Sequence, residues 1–287
     1  MKALACELPA RLGLPLARWH TKDLARAAIE QGIVASISDT TVWRWLSGDA
    51  IRPWAQRSWI FPRDPEFAAK ASRVLELYRR RLHGRSLGAD DYVISADEKT
   101  SIQARIRRHA TTPPRPRQAM RVEHEYARGG ALAYLAAWDV HRARIFGRCE
   151  PATGIEPFGR LVEQVMTTQP YASARRVFWI VDNGSSHRGR RAADRLQSLC
   201  PNLRLIHLPV HASWLNQVEI YFSIVQRKVL TPNDFASRDD VRNRLLAFQT
   251  HYEQIAQPFQ WRFTKADLHN LLARIPNHRA PATAQAA

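Results

Sequence analysis

Apolar positions recur along this chain in two periods, and the switch between them divides it near residue 88. Before that point the spacing is helical. TKDLARAAIEQGI places Leu24, Ala27, Ala28 and Ile33 on one stripe, and Gly32 marks a stop. In SISDTTVWRWLSGD, Ser38 or Asp39 suits an N-cap, Val42, Trp45 and Leu46 face inward, and Gly48 ends a short helix. Two helices around a glycine-containing turn, with Thr40, Thr41 and Arg44 outward, fit a helix-turn-helix; an ordinary αα-hairpin is the alternative. Residues 51–68 carry Pro53, Pro62 and Pro65 and read as a linker. A helix is predicted over 65–82, where Phe67, Ala71, Val74, Leu75 and Tyr78 trace one face.

Beyond residue 88, strand-like and helix-like runs alternate. DYVISA (91–96) is a strand, and GALAYLAAWDV with ARIFGRC makes a hairpin turning near His141 and Arg142. A helix over 158–168, a buried strand over 176–182, a helix over 188–199, a strand over 203–210 and a long helix over 214–229 follow. This order predicts an α/β domain with a mixed sheet. The expected divisions are a helix-turn-helix region over 1–50, linker and helix over 51–87, the α/β domain over 88–260, and a C-terminal helix with a disordered tail over 261–287.

Two of the strand-like runs end in acids, Asp97 in VISADEKT and Asp182 in WIVDNGSSH. A third acid, Glu219, lies in the amphipathic stretch WLNQVEIYFSIVQRKVL. Taken singly, each has a plain alternative. Asp97 could be a turn residue, with Glu98 a rival ligand; Asp182 could cap the Asn183-Gly184 turn; Glu219 could be solvated.

Charge changes the picture. Lys and Arg number 43 against 26 Asp and Glu, a formal net charge of +17. Such a field attracts polyanions, foremost nucleic acid. No apolar stretch approaches the ~20 residues of a spanning helix, and the first residues have too short an apolar run for a secretory signal. Cys6, Cys149 and Cys200 show no metal-finger spacing, so a reducing cytosol and no structural zinc are expected.

Acids within so basic a chain suit phosphodiester chemistry. Two Mg²⁺ ions, or Mn²⁺ in their place, can activate a water or 3′-hydroxyl and stabilise the leaving oxygen. Hard cations take carboxylate oxygens, and Asp97, Asp182 and Glu219 supply three. One strand acid would bridge both ions, and the helix acid would close the second position. The Arg- and Pro-rich segment between Thr100 and Gly130, with Arg105, Arg107, Arg108, Arg115 and Arg117, reads as a DNA-backbone track; a solvated loop is the alternative.

The order ISADEKTS, WIVDNGSSH, then HLPVHASWLNQVEIYFSIVQRK resembles the DDE transposases of bacterial insertion sequences related to mariner, the six-thirty family. The resemblance runs from about Trp19 to Ile275. It implies a ribonuclease H-like mixed-sheet core preceded by a small all-α helix-turn-helix domain, with Asp97, Asp182 and Glu219 as the metal-binding triad. It further implies Mg²⁺-dependent cleavage at terminal inverted repeats, attack of the 3′-hydroxyls on TA target DNA, a homodimer on DNA, and a cytoplasmic, nucleoid-associated protein. Asn183 would orient Asp182 or the attacking water. His187 would lie near the scissile phosphate or behind it. Asn216 and Gln217 would position the helix of Glu219 or touch DNA, and Thr40, Thr41, Trp43 and Arg44 match the recognition-helix region. Family members carry a further helix-turn-helix module, of which only the second is legible here, so the DNA-binding region is expected to be incomplete. A catalytically inactive remnant acting as a DNA-binding repressor is the alternative function.

Overall fold

The computed structural model describes residues 1–49, 51–56, 62–184 and 189–275. Two compact units result, Met1–Ile60 and Phe61–Ala287. The expected disordered tail, 276–287, lies outside the described residues.

The first unit is all-α, with α1 (Lys2–Cys6), α2 (Thr21–Glu30) and α3 (Asp39–Gly48). Trp19 sits at its centre with Leu4, Leu24, Ala28, Val42 and Leu46, and its indole Nε1 donates to Glu7 O at 2.8 Å. Ser38 is the N-cap of α3, its Oγ accepting from the Thr41 amide at 3.1 Å. Two expectations fail here. Trp45, expected inward, is 51% exposed beside Trp43 at 53%. The short, alanine-rich α2 covers only the narrow stripe of Val42 and Leu46. Ile33 is also exposed, because the chain leaves the helix at Gly32 (φ 66°) before its stripe reaches that position.

The second unit begins with α4 (Phe67–Tyr78) and a small ribbon of β1 (Arg81–Leu82) and β2 (Arg85–Ser86). Then come β3 (Asp91–Arg107), β4 (Tyr126–Asp139), β5 (Ile145–Glu150), α5 (Ile155–Met166), β6 (Arg176–Val181), α6 (Gly189–Leu199) and β7 (Leu203–His207). Three helices close it: α7 (Val218–Lys228), α8 (Arg238–Glu253) and α9 (Lys265–Arg274). The sheet order is β5-β4-β3-β6-β7, antiparallel across β5-β4-β3 and parallel across β3-β6-β7. This is a ribonuclease H-like mixed sheet.

Strand alternation sorts the core into two layers. Val93, Tyr134 and Trp138 face α4, α7 and α8, together with Leu268 of α9. Ile94, Leu135 and Trp179 face the other way, onto Phe158 and Leu161 of α5 and Leu196 of α6.

Several boundaries differ from the sequence reading. β3 continues ten residues past Asp97, because Ile102, Ala104 and Ile106 keep a period of two against β4. Its register shifts between Lys99 and Ile102, where Ser101 has φ 55°, and again between Gln103 and Arg105. The Arg-rich segment therefore forms both sides of a two-stranded arm, closed by a tight turn in which Arg115 and Gln118 exchange backbone hydrogen bonds. α4 stops at Tyr78, before the ribbon. β7 stops at His207, and the long helix is broken into a 3₁₀ turn, Ser213–Leu215, and α7.

The foot of β3 is fixed by charge. The Asp91 side chain is fully buried and accepts from Arg175 (Nε 3.2 Å, Nη2 2.6 Å), Arg176 (Nε 3.0 Å, Nη2 2.8 Å) and the Gly88 amide (2.9 Å). Burial alone would raise this carboxyl, but the guanidinium groups and the amide hold it well below the usual carboxylate range. Its stabilising effect is complete above the unfolded value, near pH 4, and is lost as pH falls through the lower folded value. Asp91→Asn is expected to cost on the order of 3 kcal/mol at neutral pH. Thermal melts at a series of pH values check this: the gap to wild type should shrink on acidification below about pH 4. A gap independent of pH would remove the ionic explanation.

Candidate active site

The last paired residues of the parallel β3–β6 ladder are Ser95 and Ile180. Two residues past each stands an acid, Asp97 on β3 and Asp182 just after β6. Buried apolar strands thus deliver both carboxylates to one end of the sheet. Asp97 is 8% exposed, its Oδ1 accepting from the Glu98 amide at 2.8 Å. Alternation turns Glu98 to the opposite face, leaving Asp97 as the acid beside α7.

Asn216 joins the third acid to the first. Its Nδ2 donates to Asp97 Oδ2 at 3.2 Å and to Ala96 O at 3.0 Å, and its Oδ1 accepts from the Ser95 hydroxyl. Ser95 Oγ also accepts from the Val218 amide at 2.9 Å, satisfying an orphan donor at the start of α7. The Tyr78 hydroxyl donates to Leu215 O and accepts from the Gln217 amide at 3.3 Å. β3 and α4 together pin the end of α7 that carries Glu219 in its first turn. Ser95 and Tyr78 were not candidates from sequence. The signal was a buried Ser within the apolar run YVISA.

Asp182 accepts from the Gly184 amide at 2.7 Å, so it does cap the turn that follows it. A cleft of about 310 Å³ opens beside it, lined by Asn183, Pro209, Val210, His211 and Ser213 among others. Asn183 Nδ2 donates to Leu208 O at 2.9 Å, bracing this turn against the chain after β7. Asp64, held by Lys70 at 3.0 Å, accepts from the Val210 amide and fastens the far wall. His187 lies outside the described residues.

The electrostatics link the three acids. Burial, then the charges of Asp182, Glu98 and Glu219, push the Asp97 carboxyl up to about 7 despite the Glu98 amide. Glu219 is also raised, by burial and by Asp182, with Lys99 offsetting part of the effect. Asp182 is thus the charge that both other acids feel. Among the described residues, no three His, Cys, Asp or Glu side chains stand close enough to enclose one ion. The acids form an open set whose hard oxygen donors fit Mg²⁺ or Mn²⁺ with part of the shell left for other ligands.

The basic candidates separate. Arg107 is structural: its guanidinium donates to Asn233 O, Glu123 O and His124 O. Arg105 lies over the Tyr126 ring at 4.7 Å, and Arg108, Arg115 and Arg117 are exposed toward the arm tip. In the first unit Thr40, Trp43 and Arg44 are exposed, while Thr41 is half-buried with its hydroxyl 2.9 Å from Ser38 Oγ.

Among known proteins, a family profile described as "DDE superfamily endonuclease" matches residues 92–242. No curated protein matches the chain in sequence. Solved structures do match in fold. The Mos1 mariner paired end complex with Mg has a TM-score of 0.52 at 16% identity, covering 94% of this chain and 76% of that one. The corresponding complex with Mn gives 0.51 at 15% over the same shares. The Mos1 Strand Transfer Complex gives 0.50 at 15%, covering 86% and 70%.

Proposed function

Because this chain belongs to the DDE superfamily of endonucleases, we propose that it is a DNA transposase with Asp97, Asp182 and Glu219 as its metal-binding acids. The observation that carries this reading is the junction of Asn216, which touches Asp97 while seated at the start of the helix bearing Glu219. A hydrogen-bonded fixture of this kind sets the separation between acids from two elements.

Two divalent ions, when bound, would activate the attacking water or 3′-hydroxyl and stabilise the departing oxygen. The chain's own residues supply the rest. The three carboxylates would hold the cations, and Asn216 and Ser95 keep Asp97 and α7 in register. Asn183 braces the turn after Asp182, and Lys99 offsets charge at Glu219. Arg105, Arg108, Arg115 and Arg117 on the arm would attract the DNA backbone, and Thr40, Trp43 and Arg44 would meet DNA from the helix-turn-helix region. The solved Mos1 complexes with Mn and Mg and the Strand Transfer Complex support metal use and strand transfer. The same reading gives a mariner-related bacterial insertion sequence, cleavage at its terminal inverted repeats, insertion at TA, and a homodimer on DNA at the nucleoid. No helix among the described residues is long and apolar enough to cross a membrane.

The test is cleavage of a supercoiled plasmid carrying the DNA that flanks this gene, by wild type and by Asp182→Asn, in Mg²⁺ and in Mn²⁺. Cuts at the repeat ends that vanish in the variant are expected. DNA binding without cleavage by either protein would leave a DNA-occupying repressor instead.

A further inference from the structure

At the edge of the sheet opposite β7 lies an open groove of about 570 Å³ that the three acids do not use. β5 is its floor, α5 and α8 its walls. β5 pairs on one side only, with β4. The hydrogen bond from the Asp139 amide to Arg144 O fixes the alternation along this pair, so Ile145, Gly147 and Cys149 turn their backbone groups outward. α8 takes up the first of these: Ile145 N donates to Glu253 Oε1 and Ile145 O accepts from Gln249 Nε2, both at 3.2 Å. Gly147 and Cys149 face the groove.

The lining carries three guanidinium groups and one carboxylate: Arg148 from β5, Arg160 from α5, Arg242 from α8, and Glu150. Glu150, 6% exposed, accepts from Arg148 Nε at 3.1 Å and from Arg160 at 3.0 and 2.7 Å. One buried acid therefore orients two guanidinium groups, each retaining N–H donors for a ligand. Gln164 accepts one more from Arg148 at 3.3 Å. Two further acids form loose, exposed ion pairs: Glu156 is 3.8 Å from Arg160, and Asp239 is 3.8 Å from Arg242. Such pairs contribute little in water. Arg242 Nε is buried with no hydrogen-bond partner.

The groove also stands level with the acids. Asp97 pairs with Ala136, and Ala136 with Gly147, so Gly147 lies two strand spacings, about 10 Å, across the sheet from Asp97. We propose that this groove is a second DNA-backbone site, in which Arg148, Arg160 and Arg242 seat phosphates of the duplex that continues away from the bond being cut. The assignment rests on the reading of the chain as a DNA-cleaving enzyme. It sets three guanidinium groups on the same sheet, level with the acids proposed to cut the duplex.

The test uses the full chain carrying Asp182→Asn, expected to bind without cutting, and a labelled ~30-bp duplex titrated between ~50 and ~200 mM salt. Arg148→Gln with Arg242→Gln is compared with the parent, leaving Arg160 to hold Glu150. Removing two phosphate contacts is expected to lower the slope of log affinity against log salt by about 2 and to weaken binding roughly tenfold at low salt. A second readout needs no further substitution: the duplex should slow hydrogen exchange of the Gly147 and Cys149 amides, which face outward from β5 into the groove. An unchanged salt slope, with Gly147 and Cys149 amide exchange unchanged in the complex, would overturn the proposal. Protection by an oligoglutamate peptide but not by DNA would assign the edge to an added acidic strand and overturn it equally. Wild type that cleaves normally beside an unaffected variant would sink this site alone, whereas wild type that neither binds nor cuts DNA would sink the transposase reading.

Discussion

Asp97→Asn is expected to abolish DNA cleavage and, in chelator, to raise the melting temperature of the protein. The two effects share one cause. In the folded chain burial and the charge of Asp182 push this carboxyl up to about 7, with Glu98 and Glu219 adding to the shift. A carboxyl raised on folding binds more protons in the native state than in the unfolded one between about pH 4 and pH 7. The native state therefore loses stability as pH rises through that window, and the loss is complete above it. Asparagine removes the charge. At pH 8 without metal the variant should gain on the order of 2 kcal/mol, less than the full shift implies because its amide NH₂ must face a donor, either the Glu98 amide or Asn216 Nδ2. Losing a carboxylate that neutralises and positions a metal should cost at least ~10³-fold in cleavage rate, equivalent to roughly 4 kcal/mol of transition-state stabilisation. Melting curves in EDTA at pH 5 and pH 8, with single-turnover cleavage in Mg²⁺, check both halves. A variant that melts below wild type at pH 8, or one that still cuts, contradicts the account.

The second large effect is expected at Asn216. Its side chain has three partners, the Asp97 carboxylate, Ala96 O and the Ser95 hydroxyl, and it is 1% exposed. Asn216→Ala leaves Ser95 and Ala96 without that partner and frees α7 to shift relative to Asp97. Partners behind metal ligands typically contribute 10–100-fold in metal affinity or activity, and a loss of roughly that size is expected here. Mn²⁺ binding measured by electron paramagnetic resonance separates positioning from general damage. Weaker Mn²⁺ binding at unchanged far-UV dichroism, with cleavage partly restored at high Mn²⁺, is the expected result. Unchanged Mn²⁺ affinity would confine Asn216 to holding the fold together.

Legibility from the sequence followed contrast between neighbouring positions. The run VFWIV, and the acid that ends it, stand out because a buried parallel strand reads as an unbroken apolar stretch, whereas LRLIH alternates along a half-buried edge. The end of VISAD was equally visible, yet the strand did not stop there. Past Asp97 the arm buries only Ile102 and Ala104 fully, and Arg and Gln between them mask a period of two. α8 carries Val241, Leu245 and Tyr252 inward, but its polar face and several Arg residues dilute the stripe. Trp45 misled for the opposite reason: a large apolar side chain reads as core, and only the narrowness of α2 leaves it outside. Ser95 and Tyr78 act through partners more than a hundred residues away in sequence, which no local pattern encodes. Arg107 looked like its basic neighbours until its three carbonyl partners were placed around it.

β3 runs without a break from the buried ion pairs at Asp91, through Asp97, to the arm, and its register with β4 shifts at two places beyond the acid. Because side chains alternate faces, inserting one residue between Asp91 and Asp97 would turn the acid to the α5 side of the sheet. An insertion beyond the shifts meets a different situation, since bulges already absorb unequal residue counts between the strands. The strand thus contains a segment counted to the residue and a segment free to vary in length. The outer portion is an exchangeable cassette: arms from relatives could be transplanted beyond the last strand pair, Arg107 with Tyr126, without retuning the acids, and divergence among such proteins should gather there as insertions while 91–97 changes only by substitution.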